Sequence, residues 1–134
     1  MDKQPTLHVP FIPNLEEYNI SEIGSILEEK GERQMIQSIN WAEQYPYQPL
    51  TAFAIAHSGN YIYVDFFVRC NYLRAVNSLN NSPVSEDSCV EFFIAPKCDN
   101  HYWNFEFNCI GTINASHRTE RKNPTRLTDN ELAQ

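Results

Sequence analysis

Two stretches in the second half of the chain decide its fold: residues 87–94, DSCVEFFI, and residues 102–108, YWNFEFN. In both, apolar and polar side chains alternate with the period of two that is typical of a half-buried strand. Turn-forming residues 96–100 separate them, which predicts an antiparallel hairpin. Its apolar face is predicted to consist of Val90, Phe92, Ile94, Trp103, Phe105 and Phe107. Phe105 and Phe107 are expected in the core, and Glu106 outside it.

The other face of this predicted hairpin is polar. It carries Glu91 and Glu106, which the register places opposite each other, together with Asn104 and Asn108. Like charges opposed in a sheet are destabilising unless a cation neutralises them. Arg69, on the polar side of its own strand, is expected to do so. The face is interpreted either as a solvated surface with ion pairs or as a recognition or metal-binding surface.

Alternation of the same period precedes the hairpin. It runs through residues 51–55 and 62–69, which flank a Ser-Gly-Asn turn and predict two further antiparallel strands. A short helix is predicted from an N-cap at Ser21 to a stop at Gly31, and we expect it to cover a sheet. Residues 8–13 contain two prolines and predict an extended segment at a sheet edge.

After Ile113 the hydrophobic pattern ends, and residues 118–134 form a predicted polar tail. Thr128 and Glu131 have capping-box spacing, which indicates a brief helix start. The predicted fold is a mainly β, antiparallel β-sandwich, jelly-roll-like, with a short N-terminal helix and without its last strands. We treat residues 1–134 as a single domain and expect a homo-oligomer, since uncovered sheet edges favour pairing.

Composition excludes several functional classes. The 134 residues include 10 Lys and Arg against 17 Asp and Glu, a net charge of −7, which opposes binding to nucleic acid. No apolar run approaches the roughly 20 residues that span a bilayer, so no membrane association is expected. The start lacks an export signal, which predicts a cytoplasmic protein, or a periplasmic or extracellular one if the natural start lies upstream.

Cysteine and histidine give no metal pattern in the sequence. The four cysteines show no CxxC pair, and free thiols are favoured over disulfides or a metal site: Cys70, Cys89, Cys98 and Cys109. Cys89 and Cys109 are expected inside strands, as small apolar residues. The histidines are expected at the surface, without a metal pair: His8, His57, His101 and His117.

Catalytic motifs are also missing from the sequence. There is no GxSxG, HExxH or glycine-rich phosphate loop, and no catalytic residue is assigned. The enzymatic alternative is a glycoside hydrolase in which Glu91, paired with Glu106 or Asp87, supplies acid and nucleophile. A further alternative is an interaction subunit that binds no sugar and pairs with another chain through an exposed sheet edge.

Aromatic side chains beside amides and arginine suit the binding of sugars. Sugar rings stack their C–H faces on Trp or Tyr, while their hydroxyls exchange hydrogen bonds with polar groups in the ring plane. Trp41 and Tyr47, near two prolines, and Arg74 and Asn77 supply this chemistry. The alternative for Trp41 is a core or hinge position beneath the loop.

The order of these motifs resembles the family-9-like carbohydrate-binding modules of bacterial polysaccharide-degrading systems, which are DOMON-related β-sandwiches. The similarity extends over residues 35–121 and is most specific in DSCVEFF and NFEFN. It implies a non-catalytic module whose ligand is an oligo- or polysaccharide. Trp41 matches the first of two aromatic walls, and Arg74 matches the arginine that contacts sugar hydroxyls.

The resemblance also implies what the second wall and a metal would be. In longer members the second aromatic follows the Arg118 region, so either Tyr47 takes its place or sugar binding is weakened or lost. A structural calcium is a further implication of the family, with Asp87 and Glu91 as contributors, although no metal ligand set is assigned.

Overall fold

The computed structural model describes residues 5–97 and 99–133, and the chain is mainly β. It divides after Asn71 into two compact units, residues 1–71 and 72–134. Each unit contains one antiparallel sheet, of three and four strands respectively. The two antiparallel sheets and the short helix confirm the predicted mainly β fold class and are consistent with a β-sandwich. The single domain and the homo-oligomer stay predictions.

The first unit contains one helix and three strands: α1 (Ile20–Lys30), β1 (Glu32–Ile36), β2 (Leu50–His57) and β3 (Ile62–Arg69). Strand β2 is central and pairs antiparallel with both neighbours. Phe53 lies opposite Phe66, with ring centroids 6.4 Å apart. The two strands predicted from alternation are therefore confirmed.

Helix α1 covers one face of this sheet, as predicted. Its buried Leu27 joins Leu15 in a core cluster with Ala54 and Ala56 of β2. Because alanine side chains are short, the helix packs close to the strand without leaving a void. The alternate alanines of β2 thus mark the face that receives the helix.

The helix begins two residues earlier than predicted. Its N-cap is Asn19 and not Ser21, because the Asn19 Oδ1 accepts from the Glu22 backbone N–H at 3.0 Å. Glu22 Oε2 in turn accepts from the Asn19 N–H at 2.9 Å, which completes a capping box. The predicted stop at Gly31 is confirmed.

The proline-containing segment at residues 8–13 is extended and pairs with the end of β2. Ile12 N–H donates to the His57 carbonyl at 2.8 Å, and His57 N–H donates to the Pro10 carbonyl at 3.0 Å. Proline lacks an N–H but still accepts, so it is tolerated in such a segment.

The second unit contains four strands and a short helix: β4 (Cys89–Ile94), β5 (Tyr102–Asn108), β6 (Ile113–Arg118), β7 (Thr125–Arg126) and α2 (Asp129–Leu132). The strands pair in chain order, all antiparallel. The predicted hairpin is confirmed in its register, with Phe92 opposite Phe105 and Glu91 opposite Glu106. The capping box of Thr128 and Glu131 is confirmed as well.

The expectation that no strand follows Ile113 is wrong. Strands β6 and β7 occupy part of the predicted polar tail, and Asn114 and Ser116 of β6 are buried. Asn114 bonds to Glu106 of β5 and Arg126 of β7, and Ser116 accepts from Arg118 of β6 itself, so β6 needs no apolar alternation. Asn81 extends the pairing, since its backbone N–H donates to the Ile113 carbonyl at 2.8 Å.

None of the helices in the described part of the chain has the length and apolar character needed to cross a membrane.

Gly31 is predicted to be essential for the junction between α1 and the sheet. A Cβ at this position would lie 2.6 Å from the Leu27 carbonyl oxygen and 3.2 Å from that of Ile55. Gly31→Ala should lower the free energy of unfolding by about 1–3 kcal/mol, as overpacking does. Urea denaturation measures this, with Glu29→Ala as the exposed control. Equal stability of Gly31→Ala and the parent would contradict the close approach.

Candidate functional site

Trp41 lies at the surface, in the loop of residues 37–49 that joins β1 to β2. Its carbonyl accepts from the backbone N–H groups of Gln44 and Tyr45, at 3.0 and 2.8 Å, which forms a tight turn. The residue is 65% exposed. The structure therefore places the indole outside the core.

Tyr47 and Gln48 fasten the same loop. The Tyr47 hydroxyl accepts from the Asn71 backbone N–H at 2.7 Å. Gln48 Nε2 donates to the Gln37 carbonyl at 2.6 Å and closes the base of the loop. The two aromatic residues predicted to contact sugar thus share one anchored loop in the first unit.

Arg74 and Asn77 lie in the second unit, where the structure brings both to the buried carboxylate of Asp87. The Asn77 N–H donates to Asp87 Oδ2 at 2.9 Å, and the Val76 N–H lies 3.1 and 3.2 Å from the two oxygens. Arg74 Nε is 3.5 Å from Asp87 Oδ1 and donates to the Glu86 carbonyl at 3.0 Å.

Asn108, the last residue of β5, joins this cluster to the sheet. Its Nδ2 donates to Asp87 Oδ2 at 3.0 Å and to the Asn77 carbonyl at 2.8 Å. Its Oδ1 accepts from the Thr112 N–H at 2.9 Å. Sequence reasoning missed this anchoring role of Asp87 and Asn108, because their partners are backbone groups distant in sequence.

The Asp87 carboxylate is held in its ionised form. Burial acts to raise its pKa, but the backbone N–H of Asn77 and the amide of Asn108 outweigh it and hold the pKa at about 2. A carboxylate that accepts several N–H donors behaves in this way.

Arg74 and Asn77 differ in what they can offer a ligand. The Arg74 side chain is 58% exposed, and within the described residues its two η nitrogens have no hydrogen-bond partner. Asn77 Nδ2 donates to the Pro83 carbonyl at 3.1 Å, which leaves its Oδ1 as an acceptor. Arg74 is thus the main donor and Asn77 an acceptor.

The residues do not fit the calcium site that the resemblance implies. Calcium takes six to eight oxygen ligands, whereas both oxygens of Asp87 already accept N–H donors. In the described ranges, no group of three or more His, Cys, Asp or Glu side chains is placed to hold a metal ion.

The polar face of the second sheet is more buried than predicted. Glu106 is buried, whereas Phe105 and Phe107 are only partly so, and the expectation that Glu106 lies outside the core is wrong. Asn114 explains this, because its Nδ2 donates to Glu106 Oε2 at 2.9 Å while its Oδ1 accepts from Arg126. The buried Glu106 carboxylate is thus hydrogen-bonded to protein side chains instead of water.

Glu91 lies opposite Glu106 but at the exposed edge of the sheet. Burial and the charge of Glu106 raise the pKa of Glu91, whereas Arg118 lowers it. The cation that acts on Glu91 is therefore Arg118 of β6. Arg69 is exposed on β3 of the first unit, and its expected role beside the glutamates stays a prediction.

Three of the cysteines carry free thiols: Cys70, Cys89 and Cys109. Burial, followed by the charges of Glu91, Glu106 and Asp87, raises the pKa of Cys89 to about 11. Cys109 is exposed and follows β5, so its predicted place inside a strand is wrong. Cys98 lies outside the described residues.

Two histidines that are distant in sequence come together. His101 Nδ1 lies 3.0 Å from His117 Nε2, and the His117 ring centroid lies 4.7 Å from that of Trp103. The antiparallel pairing of β5 with β6 places Trp103 opposite His117 and brings the two histidines together, a contact that the sequence spacing does not predict.

Asp87→Asn is predicted to destabilise the chain and to alter its response to acid. Since the pKa falls from 3.8 to about 2 on folding, ionised Asp87 stabilises the fold above pH 4, and this contribution is lost as the pH falls toward 2. The variant should therefore be less stable at pH 7 and should lose less stability between pH 4 and 2. Urea titrations at each pH measure this, with exposed Glu86→Gln as control. A parent-like pH profile in Asp87→Asn would contradict the assignment.

Glu91→Gln is predicted to stabilise the chain at neutral pH. Removing one of two opposed charges should raise the free energy of unfolding by about 0.2–1 kcal/mol. Because the pKa of Glu91 lies above its ordinary 4.5 in the fold, the parent should gain stability relative to the variant as the pH falls through that range. Thermal melts at pH 7 and pH 4 test this, with Glu43→Gln as control. A variant less stable than the parent at pH 7 would count against repulsion.

Comparison with known proteins agrees with the resemblance in the sequence. The sequence profile of carbohydrate-binding family 9 matches residues 22–134. A crystal structure at 2.70 Å of a candidate carbohydrate-binding protein from Bacteroides uniformis ATCC 8492 is similar, at 33% identity and a TM-score of 0.87. The similarity covers 95% of this chain but 58% of that one. No curated protein matches the chain. Since the profile spans most of its length, the chain belongs to carbohydrate-binding family 9.

Proposed function

We propose that this chain binds an oligo- or polysaccharide without catalysis. Trp41 and Tyr47 of the first unit supply aromatic faces for sugar rings. Arg74 and Asn77 of the second unit exchange hydrogen bonds with sugar hydroxyls. The observation that carries the proposal is Trp41, a residue that is 65% exposed on an anchored loop in a member of a carbohydrate-binding family.

The exposed indole is suited to a sugar because both surfaces lose water when they stack. Such a contact needs a platform that keeps its position, since ordering a mobile loop would cost binding free energy. The bonds from Tyr47 to Asn71 and from Gln48 to Gln37 supply that order in advance. Hence the loop of residues 37–49 is already ordered before a sugar ring binds.

Arg74 is prepared in a similar way. Its Nε is committed to the Glu86 carbonyl and lies beside Asp87, so the guanidinium plane is oriented while its η nitrogens stay exposed. A planar donor group fixed in this manner can contact neighbouring hydroxyls of one sugar. Asn77 Oδ1 adds an acceptor in the same loop.

The absence of turnover is part of the proposal. Glu106, one member of the alternative glycosidase pair, is buried and accepts from Asn114. A carboxylate so engaged is poorly placed to act as a nucleophile or acid at a sugar.

Trp41→Ala is predicted to weaken binding to a soluble polysaccharide by about tenfold or more, because the aromatic contact is lost. Affinity electrophoresis through gels with a β-glucan, xylan, mannan or starch measures this. Tyr18→Ala removes an exposed aromatic of the same unit outside the loop and serves as control. Unchanged binding by Trp41→Ala would show that the platform is elsewhere.

Turnover is tested on the same polysaccharides by assay of reducing sugar. We expect none above a no-protein blank. Release that Glu91→Gln abolishes would establish the glycosidase alternative and overturn the non-catalytic proposal.

A further inference from the structure

Asn104, at the centre of the polar face of the second sheet, has a buried side chain without a hydrogen-bond partner among the described residues. It is only 4% exposed. Among the described residues, every side-chain nitrogen and oxygen that is fully shielded from solvent has a hydrogen-bond partner. Because the Asn104 amide has no such partner, part of it contacts solvent. A buried amide costs free energy unless something satisfies it, and its opening to solvent leaves it free to bind a ligand.

An exposed aromatic side chain borders this amide. Phe93 lies directly opposite Asn104 in the β4–β5 register and is 56% exposed. The Phe93 ring centroid is 6.4 Å from that of Tyr102, with an interplanar angle of 34°. Alternation puts Phe93 on the polar face, where a phenyl ring gains nothing from burial in the protein's own core.

Charged side chains complete the face, and their charges balance. Glu91 lies opposite Glu106, and Arg118 and Arg126 lie on the same face, opposite Tyr102 and Ser116. Arg118 Nε donates to Ser116 Oγ at 2.9 Å, and Arg126 reaches Glu106 through Asn114. Because two acids and two bases neutralise one another, the face favours a neutral ligand over a phosphate or a uronate.

We propose that the Asn104 surface, formed by Glu91, Phe93, Tyr102, Asn104 and Arg118, is a second saccharide-binding surface. A neutral sugar ring packs on Phe93 beside Tyr102, and its hydroxyls bond to the Asn104 amide and to the rim charges of Glu91 and Arg118. The inference rests on the proposed function in that the ligand is a saccharide. It uses none of the four residues assigned there.

NMR titration of the full chain tests the two assignments separately. Two-dimensional ¹H–¹⁵N spectra follow the Trp41 indole, the Asn104 side-chain amide and the Phe93 backbone amide, and Asn104→Ala identifies the side-chain signal. The probes are cellotetraose, xylotetraose, mannotetraose and maltotetraose. We expect at least one to shift the Asn104 and Phe93 signals in a saturable manner, in the parent and in Trp41→Ala.

Phe93→Ala should weaken the affinity obtained from the Asn104 shifts by about five- to tenfold, because a ring contact is lost. Ile110→Ala, at 58% exposure in the same unit, is the matched control and should leave that affinity unchanged. Both positions are exposed, so both variants should keep the dispersed spectrum of the parent. Equal affinity of Phe93→Ala and parent would overturn the inference.

The remaining outcomes separate the two assignments. If the Trp41 indole shifts while Asn104 and Phe93 do not, the inference is wrong and the proposed function stands. If Asn104 and Phe93 shift while the indole does not, the inference stands and the role of Trp41 is wrong. If no signal responds to any of the four probes, both are wrong.

Discussion

The buried carboxylate of Asp87 is the constraint on which the second unit depends. Residues 72–83 form no helix or strand, and their backbone N–H groups need partners if the loop is to keep one conformation. Asp87 supplies them for Val76 and Asn77, while Asn108 connects the carboxylate to the end of β5. Arg74 is oriented by the same cluster. The ionised Asp87 carboxylate thus holds the irregular loop of residues 72–83 in one conformation and fixes the positions of its polar side chains.

A second constraint is the polar face of the four-stranded sheet. Glu106, Asn114 and Arg126 bond in sequence across three strands, and this network buries β6 without large apolar residues on that face. Buried polar groups are stable only when their partners are present. The network stops at Asn104, which has no partner among the described residues. The unpartnered amide of Asn104 lies beside the exposed Phe93, and these two side chains are the basis for proposing a binding surface on this face.

Much of the fold could be predicted because alternation carries register information. The strict period of residues 102–108 fixed which side chains share a face and placed Glu91 opposite Glu106. Strands β6 and β7 were missed since their polar side chains are paired with other polar side chains, which leaves no hydrophobic period. The cluster at Asp87 and the contact of His101 with His117 depend on pairing between distant segments. Trp41 and Arg74 could be chosen as candidates from their chemistry and the family resemblance. Their exposure and the contacts that anchor them could not be predicted, because these depend on segments distant in sequence.

The central claim is that the chain recognises a neutral saccharide through aromatic faces and hydrogen bonds, despite its net charge of −7. The salt dependence of polysaccharide binding tests it most directly, because screening weakens attraction between charges and leaves stacking intact. Affinity electrophoresis with neutral polysaccharides and with polygalacturonate, at about 50 and 500 mM NaCl, supplies the measurement. The account predicts retardation by at least one neutral polysaccharide, equal at both salt concentrations. Retardation by polygalacturonate alone, lost at the higher salt, would contradict it.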